Sequence, residues 1–378
     1  MKVLCLCPVM SKALCDTYSM YVKLRKMGVD MLFISGRSSG ARANSMKLQP
    51  YENMDGVPIY RLYKNSNEML IFPQKKLKQV LKIAKRLNPD LILCYLADNM
   101  RLALLLRRYF KIPIVLHVEN AGDILSQKFV DSWKMRPVRH FLREPTRGPR
   151  YWSWLCEKAD VLITSHPPDQ QRLHLLSEHG KPVYYLPWPT NIPEDCELPT
   201  TKDRRRGIYA GNLAGWKNTQ AFGWILPLIF QNTPTKEFII IGVGHDSLVI
   251  ERLMHQFGDA IKYIPRLPRC EVIKLVAGSY YAFTPTTKGG WGFFGDCWGT
   301  GTPILMLHDV FRSKELDISV AKSEEDLLRK INRLYDDPLF YRQLQGVGYT
   351  AFDKRKADVI GDELYAILSR TIDREQDK

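Results

Sequence analysis

The chain has no apolar run approaching about 18 residues, the length that a membrane-spanning helix requires, so we predict no transmembrane segment. Lys2 leads directly into "VLCLCP", an apolar run of strand length that is too short for the core of a signal peptide. We therefore expect a cytoplasmic protein. With 378 residues, of which 45% are hydrophobic and 25% charged, the chain is long enough for two globular domains with separate cores.

The eight cysteines have none of the paired spacings that hold structural metal ions. Cys5 and Cys7 alternate along one apolar segment, and the other six are scattered. We interpret all of them as free, buried thiols in a reducing compartment. The sequence thus predicts neither a metal site nor a bound cofactor.

Acidic residues are scarce in the first half of the chain. Residues 1–200 contain 30 lysines and arginines against 18 aspartates and glutamates, and this half supplies most of the formal net charge of +15. Such a surplus predicts an anionic partner, either a membrane surface, a nucleic acid or an acidic small molecule. Generic solubility is the alternative explanation.

Short apolar segments alternate with helical patterns along both halves of the chain. Such segments are typical of strands buried on both faces of a parallel sheet. They are KVLCLCP, VDMLFISG, PDLILCYLA, IPIVLHVEN, ADVLITSH and PVYYLPW, followed after residue 200 by RGIYAGN, EFIIIGVG, AIKYIP, YYAFTP, TPILML and DISVA. The alternation predicts an α/β fold of two doubly wound, Rossmann-like domains facing a cleft. The predicted parts are residues 1–195, a linker at 196–206, residues 207–355, and a C-terminal helix at 356–378 that packs back towards the first domain.

Ligands of open α/β sheets bind beyond the carboxyl ends of the strands, so the residues that follow each strand are the candidates for a site. After "GIYAG", Gly211 permits a tight turn, and Lys217 lies near a helix start, where a lysine suits a phosphate group. A solvated lysine is the alternative. After "EFIIIG", Gly242 and Gly244 allow the backbone to pass close to a ligand or to a neighbouring loop.

The stretch "TTKGGWGFFGDCWGTGTP" (residues 286–303) is crowded with glycine and aromatic residues. Gly289, Gly290 and Gly292 predict a flexible loop. "FGDCWGTG" predicts the first turn of a helix, whose exposed N–H groups attract a diphosphate. Asp296 in that turn would accept hydrogen bonds from sugar hydroxyls. The alternative is a structural glycine-rich turn with Asp296 as a helix cap.

In the first half, the strand "PIVLH" ends in His117, and the polar residues after it are Glu119, Asn120 and Asp123. A histidine at a strand end that faces a cleft is equally consistent with a catalytic and a structural role. Ser165 and His166 close the strand "VLITSH" in the same way.

Taken in order, these segments resemble the retaining GT-B glycosyltransferases of family 4, and the resemblance covers nearly the whole chain. "IYAGNLAGWKN" is similar to the family's glycine-arginine-x4-lysine element, and "FIIIGVGHD" to its Gly-x-Gly-Pro turn. Residues 286–303 resemble the signature in which two glutamates flank Phe-Gly and lead into Ala-x-Gly-x-Pro. "ADVLITSH…YYLPWPTNIPED" resembles the end of the family's first domain, and "KSEEDLLRKINRLYDDPLFYRQL" resembles the helices after the signature.

The resemblance implies that the second domain binds a nucleotide-sugar donor, linked to UDP or GDP, and that the first domain binds the acceptor. Lys217 would hold the diphosphate, Asp296 would bind the ribose, and His117 would lie near the transferred sugar. The further donor-binding residues would be Gly211, Asn212, Gly244, Lys288, Gly289, Gly290, Trp291 and Gly292. The acceptor-side candidates are Glu119, Asn120, Asp123, Trp152 and Trp154.

Three features depart from the family pattern. Asn212 occupies the place of the family arginine, so one of two cationic phosphate ligands is missing. The first signature glutamate is absent, and Lys288 or Gly289 stands there. We hypothesise that Lys288 reaches a donor phosphate in place of the arginine. The glycine pair usual after the first strand is also missing, which makes a degenerate GT-B protein that binds without catalysis an alternative.

The resemblance also implies the course of the reaction. The acceptor hydroxyl would attack from the front face, and the anomeric configuration would be retained. The Asp-x-Asp element that binds metal in the other large glycosyltransferase fold does not occur in the sequence, which favours a metal-independent reaction. Lys217, backbone amides and a helix dipole would stabilise the leaving diphosphate.

Three basic clusters of the first half bear on the acceptor, namely residues 73–86, 101–111 and 132–154. The last combines arginines with Trp152 and Trp154, a mixture that suits a lipid headgroup region. It favours a peripheral enzyme at the inner membrane surface that glycosylates a lipid-linked glycan or glycolipid. The same mixture suits a nucleic-acid backbone. A phage-type DNA glycosyltransferase acting on a modified base is therefore an alternative, as is an enzyme with a small soluble acceptor.

Overall fold

A computed structural model describes residues 1–10, 17–38, 48–65, 68–69, 72–95, 99–118, 156–165, 181–287, 291–311 and 313–376. The chain divides into two compact units. The first unit contains Met1–Pro189 and Ala357–Lys378, and the second contains Thr190–Lys356.

The first unit is built on an eight-stranded sheet with the strand order β3-β4-β2-β1-β5-β6-β7-β8. The edge strand β3 is antiparallel to β4, and every other pairing is parallel. The strands are β1 (Lys2–Leu6), β2 (Asp30–Gly36), β3 (Tyr51–Met54), β4 (Val57–Tyr63), β5 (Leu91–Tyr95), β6 (Ile114–Val118), β7 (Val161–Thr164) and β8 (Val183–Tyr185). All residues of β5, β6 and β7 are buried, which explains why these strands appear in the sequence as continuous apolar runs.

The helices that connect these strands include α1 (Tyr18–Lys26), α2 (Leu77–Leu87) and α3 (Met100–Phe110). Gly28 follows α1 with a φ of +85°, a conformation that favours glycine and stops a helix. A 3-10 turn, Pro73–Lys76, precedes α2, which is α-helical from Leu77.

The hairpin β3–β4 is absent from the elements predicted from the sequence. Its turn is Asp55-Gly56, both with positive φ, as a two-residue Asp-Gly hairpin turn requires. The strand β4 has a clear period of two, but its buried face includes Arg61, which is fully buried. Arg61 donates hydrogen bonds to the main-chain oxygens of Met10 and Gln49 and pairs with Glu52. Because this charged residue lies on the inner face, β4 does not appear in the sequence as an apolar run.

The second unit contains a five-stranded, all-parallel sheet with the order β11-β10-β9-β12-β13. The strands are β9 (Asp203–Ala210), β10 (Glu237–Ile241), β11 (Ile261–Ile264), β12 (Ser279–Thr284) and β13 (Ile304–Met306). The helices are α4 (Phe222–Asn232), α5 (Ser247–Phe257), α6 (Arg269–Gly278), α7 (Trp291–Gly299), α8 (Glu324–Asp336) and α9 (Pro338–Asp353). The predicted α/β fold of two Rossmann-like domains is confirmed.

The segment DISVA, predicted as a strand, is not one. Residues up to Ser319 belong to a 3-10 helix, Lys314–Ser319, and Val320 forms only an isolated bridge to Met306. The three apolar residues of this segment, Ile318, Val320 and Ala321, are interrupted by Ser319, and so short a segment does not distinguish a strand from such a connection.

The C-terminal helix α10 (Ala357–Gln376) belongs to the first unit. It packs against α1, where Lys23 lies 3.5 Å from Asp362 and a Cβ at Gly361 would approach the Lys23 side chain. None of the described helices is both long and apolar enough to cross a membrane.

The second unit begins at Thr190, whose N–H donates to the carbonyl of Arg355 at 2.7 Å. The chain therefore enters and leaves this unit at one place. The segment 196–206, predicted as a linker, lies inside the unit, and from Asp203 onward it belongs to β9.

Candidate functional site

In the first unit, the carboxyl ends of three neighbouring strands bring Tyr95, His117 and Ser165 together. Tyr95 ends β5 and is the register partner of His117 on β6, and Ser165 directly follows β7. Nε2 of His117 lies 2.8 Å from Oγ of Ser165. The imidazole ring packs edge-on against Tyr95, with ring centroids 5.2 Å apart. Two residues singled out in the sequence thus lie in hydrogen-bond contact, and Tyr95 is an addition that the sequence did not indicate.

His117 is almost completely buried, and this burial lowers its pKa from 6.5 to about 4. Its Nδ1 has no hydrogen-bond partner among the described residues, nor has Nε1 of the buried Trp188. Trp188 lies beyond the end of β8, with its ring 6.4 Å from that of Tyr95. Buried polar atoms without a partner are uncommon and call for an explanation. A substrate hydroxyl at this strand edge would supply one.

The pKa of His117 leads to a prediction about stability. Between about pH 6.5 and pH 4 the unfolded chain binds a proton that the folded chain does not, so the free energy of unfolding falls as the pH falls through this window. The contribution is about 3 kcal/mol. We expect His117→Gln to lose correspondingly less stability between pH 7.5 and pH 4.5 in urea unfolding. If wild type and variant lose stability equally, His117 is not the group responsible.

In the second unit, Lys217 ends a short 3-10 helix, Gly215–Lys217, in the loop after β9. Its side chain is only 6% exposed, so the alternative of a solvated lysine is wrong. Asn218 follows with a left-handed backbone, φ +55°, and its amide donates to the carbonyl of Pro285 at 3.4 Å. The loop that carries Lys217 is therefore tied to the end of β12, where the glycine-rich stretch begins.

The loops after β9 and β10 are packed backbone to backbone. A Cβ at Gly242 would overlap the carbonyl oxygen of Gly211, and a Cβ at Gly244 would overlap that of Leu213. Of the two interpretations of these glycines, close approach to a neighbouring loop is the one that the structure bears out. The buried Asp246 strengthens the contact, since its carboxylate accepts a hydrogen bond from Thr219 at 2.6 Å. Asn212 lies in the same loop, and its carbonyl accepts from the Tyr209 hydroxyl at 3.2 Å.

The helix of the glycine-rich stretch begins earlier than predicted. α7 starts at Trp291, so that Asp296 is its sixth residue and lies outside the first turn. The aromatic residues Trp291, Phe293, Phe294 and Trp298 are buried, and their packing explains the early start. The N–H groups of Trp291 and Gly292 therefore belong to the first turn, where backbone donors lack a partner within the helix.

Asp296 is neither exposed nor a helix cap. Its side chain is 5% exposed, and its Oδ1 lies 2.9 Å from Nη2 of Arg269, the first residue of α6. The same Nη2 donates to the carbonyl of Asn191 at 3.1 Å. The carboxylate is thus held by Arg269, which was not among the predicted site residues because no local pattern links position 269 to position 296.

The cysteine prediction is wrong for one pair. Cys196 and Cys270 form a disulfide across 74 residues, with Cα atoms 5.3 Å apart. It joins the segment at the start of the second unit to α6, next to Arg269. The described free cysteines, Cys5, Cys7, Cys94, Cys156 and Cys297, are all buried, as expected. Asp195, Cys196 and Cys270 are the potential metal-ligand group found in the described part of the chain. Both of its sulfur atoms are bonded to each other in the disulfide.

Several predicted site residues lie outside the described residues. They are Glu119, Asn120, Asp123, Trp152, Trp154 and His166 in the first half and Lys288, Gly289 and Gly290 in the second.

No protein-family model and no curated protein sequence matches the chain, but solved structures do. Sucrose-phosphate synthase from Thermosynechococcus elongatus is similar with a TM-score of 0.72 at 14% identity, over 98% of each chain. An α,α-trehalose-phosphate synthase (UDP-forming) from Burkholderia xenovorans, in complex with glucose-6-phosphate, has a TM-score of 0.68 at 13% identity, over 97% of this chain and 99% of that one. A trehalose-6-phosphate structure from Escherichia coli, bound with UDP-2-fluoro glucose, has a TM-score of 0.64 at 9% identity, over 98% and 99%.

The chain has the GT-B fold. Near-complete coverage of both chains in each comparison carries this conclusion, because it includes the first and the second unit. The GT-B part of the resemblance seen in the sequence is confirmed. Membership of family 4 stays a prediction, since likenesses at these identities show the fold alone.

Proposed function

We propose that this GT-B protein is a glycosyltransferase that moves a sugar from a nucleotide-sugar donor to an anionic or membrane-associated acceptor, such as a lipid-linked glycan or glycolipid. The observation that carries the proposal is the set of groups at the carboxyl ends of the second sheet. A buried lysine, the first turn of α7 and a buried carboxylate all follow strands of this sheet. The similar proteins whose descriptions mention UDP support a nucleotide-sugar as the ligand.

The second unit would bind the donor, linked to UDP or GDP. Lys217 and the N–H groups of Trp291 and Gly292 would contact the diphosphate, since a lysine and a helix N-terminus both favour anions. Asp296, oriented by Arg269, would accept hydrogen bonds from the ribose. Lys288 would supply the second cation that the change to Asn212 removes.

The first unit would bind the acceptor and contribute His117. Because Nε2 of His117 contacts Ser165, Nδ1 is the ring nitrogen that remains for a substrate hydroxyl. The depressed pKa keeps the ring neutral near pH 7, so His117 would orient a hydroxyl by hydrogen bonding and would not act as a cation.

In the proposed reaction the acceptor hydroxyl attacks the anomeric carbon from the face that the diphosphate leaves, and the configuration is retained. The new C–O bond forms as the bond to the diphosphate breaks, and the hydroxyl proton passes to a phosphate oxygen. Lys217 and the α7 amides would stabilise the charge that develops on the leaving group, without a metal ion.

Donor binding and turnover test the proposal. Isothermal calorimetry with UDP- and GDP-sugars should detect one nucleotide class, and the matching donor should be hydrolysed slowly when no acceptor is present. Binding without hydrolysis or transfer would favour the alternative of a degenerate GT-B protein, which the change to Asn212 supports. Absence of binding to either class would reject the proposal.

A variant at Lys288 tests the replacement of the missing arginine. In Lys288→Ala, we expect the Kd of the donor to rise roughly tenfold or more, since a charge-assisted hydrogen bond contributes about 1.5–3 kcal/mol. The affinity for the corresponding nucleoside, which has no phosphate, should not change. Lys236→Ala is the matched control, because Lys236 is exposed just before β10, at the opposite edge of the sheet. An unchanged donor Kd in Lys288→Ala would remove this lysine from the site.

A further inference from the structure

A groove of about 920 Å³ lies beside α3 in the first unit, with a lining rich in positive charge. The cations that line it are Arg101, Arg107, Arg108, Lys111 and Lys158. The described lining contains no acidic residue. Arg107 pairs with Asp160, whereas the other four cations have no acidic partner among the residues that the structure describes. The groove therefore concentrates uncompensated positive charge.

The same groove has an apolar part. Phe72, Leu104, Leu105 and Ile112 line it, and none of the four is fully buried. Phe72 is 44% exposed. A contiguous group of exposed aromatic and aliphatic side chains that is bordered by cations is characteristic of interaction surfaces.

The two halves of the lining define the chemistry of a ligand. The cations favour a phosphate or another anionic group, and the apolar side chains favour hydrocarbon next to it. A nucleic-acid backbone would satisfy the cations and leave the leucines and the isoleucine without a role. A small soluble anion would do the same. An anionic lipid satisfies both parts, because basic residues hold the headgroup while aromatic and aliphatic side chains enter the interfacial region.

We propose that this groove is a docking site for the anionic phospholipid of a membrane surface. Arg108, Lys111 and Lys158 would hold lipid phosphates, and Phe72 and Leu105 would contact the acyl region. α3 follows the carboxyl end of β5, so Arg101 near its start lies towards the edge that carries His117. Arg108, Lys111 and Lys158 lie near the amino edge, just before β6 and β7. The biological purpose of this docking rests on the proposed function, because it would bring the enzyme to a membrane-associated acceptor. The binding of lipid itself does not require sugar transfer.

The test is flotation of the full chain with vesicles of phosphatidylcholine alone or mixed with phosphatidylglycerol, over a salt series. Wild type should float only with the anionic vesicles, and less so at high salt. Arg108→Glu/Lys111→Glu should lower the partition coefficient at least 25-fold, since each cation at such a surface contributes roughly fivefold. The matched control, Lys82→Glu/Lys85→Glu on exposed positions of α2, makes the same change in net charge outside the groove and should reduce binding much less.

Phe72→Ala tests the apolar half of the groove and should weaken vesicle binding several-fold without altering the salt dependence.

Equal losses of vesicle binding in the two charge-reversal variants would overturn the site, because net charge alone would then explain binding. Binding of glycerol phosphate as strong as that of vesicles would overturn a lipid ligand. A gel shift with DNA that the groove variant abolishes, in the absence of vesicle binding, would assign the surface to nucleic acid. Donor calorimetry on the same variants separates the docking proposal from the proposed glycosyltransferase function, because a variant can lose vesicle binding and still bind the donor.

Discussion

Replacement of Lys217 by methionine is expected to lower turnover of the donor by about 10²- to 10³-fold, the usual effect of removing one group that stabilises charge in the transition state. Methionine keeps an apolar stem of similar length in a position where the lysine is 6% exposed, so the substitution removes mainly the charge. Steady-state kinetics with the donor identified by calorimetry provide the measurement.

The separation of kcat from KM identifies what Lys217 does. A lysine that acts on the departing diphosphate lowers kcat with little change in KM, whereas one that only binds the ground state raises KM. Lys236→Met is the matched control, because it removes the charge of an exposed lysine at the opposite sheet edge. Thermal unfolding of both variants shows whether the second unit remains folded. Wild-type turnover in a folded Lys217→Met variant would contradict the assignment.

The fold was predictable from the sequence because most of its strands are buried on both faces. β5, β6 and β7 have no polar residue apart from His117 and Thr164, and such runs identify parallel strands without knowledge of their neighbours. The proximity of His117 and Ser165 could be predicted for the same reason. Both residues lie at carboxyl ends of strands, and adjacent parallel strands bring these ends to one edge.

Other features depend on contacts between distant segments, and no local pattern encodes them. Arg269 meets Asp296 because α6 and α7 pack within one unit, and Cys196 meets Cys270 across 74 residues. The start of α7 at Trp291 is decided by burial of its aromatic side chains, although glycine favours a loop there. The hairpin β3–β4 was not predicted because the buried Arg61 interrupts its apolar face. In each case tertiary packing overrides the local signal.

Substitution of Gly244 by alanine is expected to destabilise the second unit by about 4 kcal/mol or more, at the upper end for single substitutions. The new Cβ would overlap the carbonyl oxygen of Leu213. Leu213 cannot move away easily, because its N–H donates to Val243 at 3.0 Å and its carbonyl accepts from Asp246 at 3.2 Å. Relief of the overlap therefore breaks hydrogen bonds that join the two loops.

Gly215→Ala is the matched control for this substitution, because Gly215 lies in the same region and a Cβ there meets no atom within 4 Å. Urea unfolding should show a large loss of stability in Gly244→Ala and a change of less than about 1 kcal/mol in Gly215→Ala. Any Gly244→Ala protein that folds should also bind the donor more weakly, since the displaced loop continues into the helix that carries Lys217. Equal stability of the two variants would show that the loops after β9 and β10 rearrange without a loss of stability. The contact between these loops would then not hold Lys217 rigidly in place.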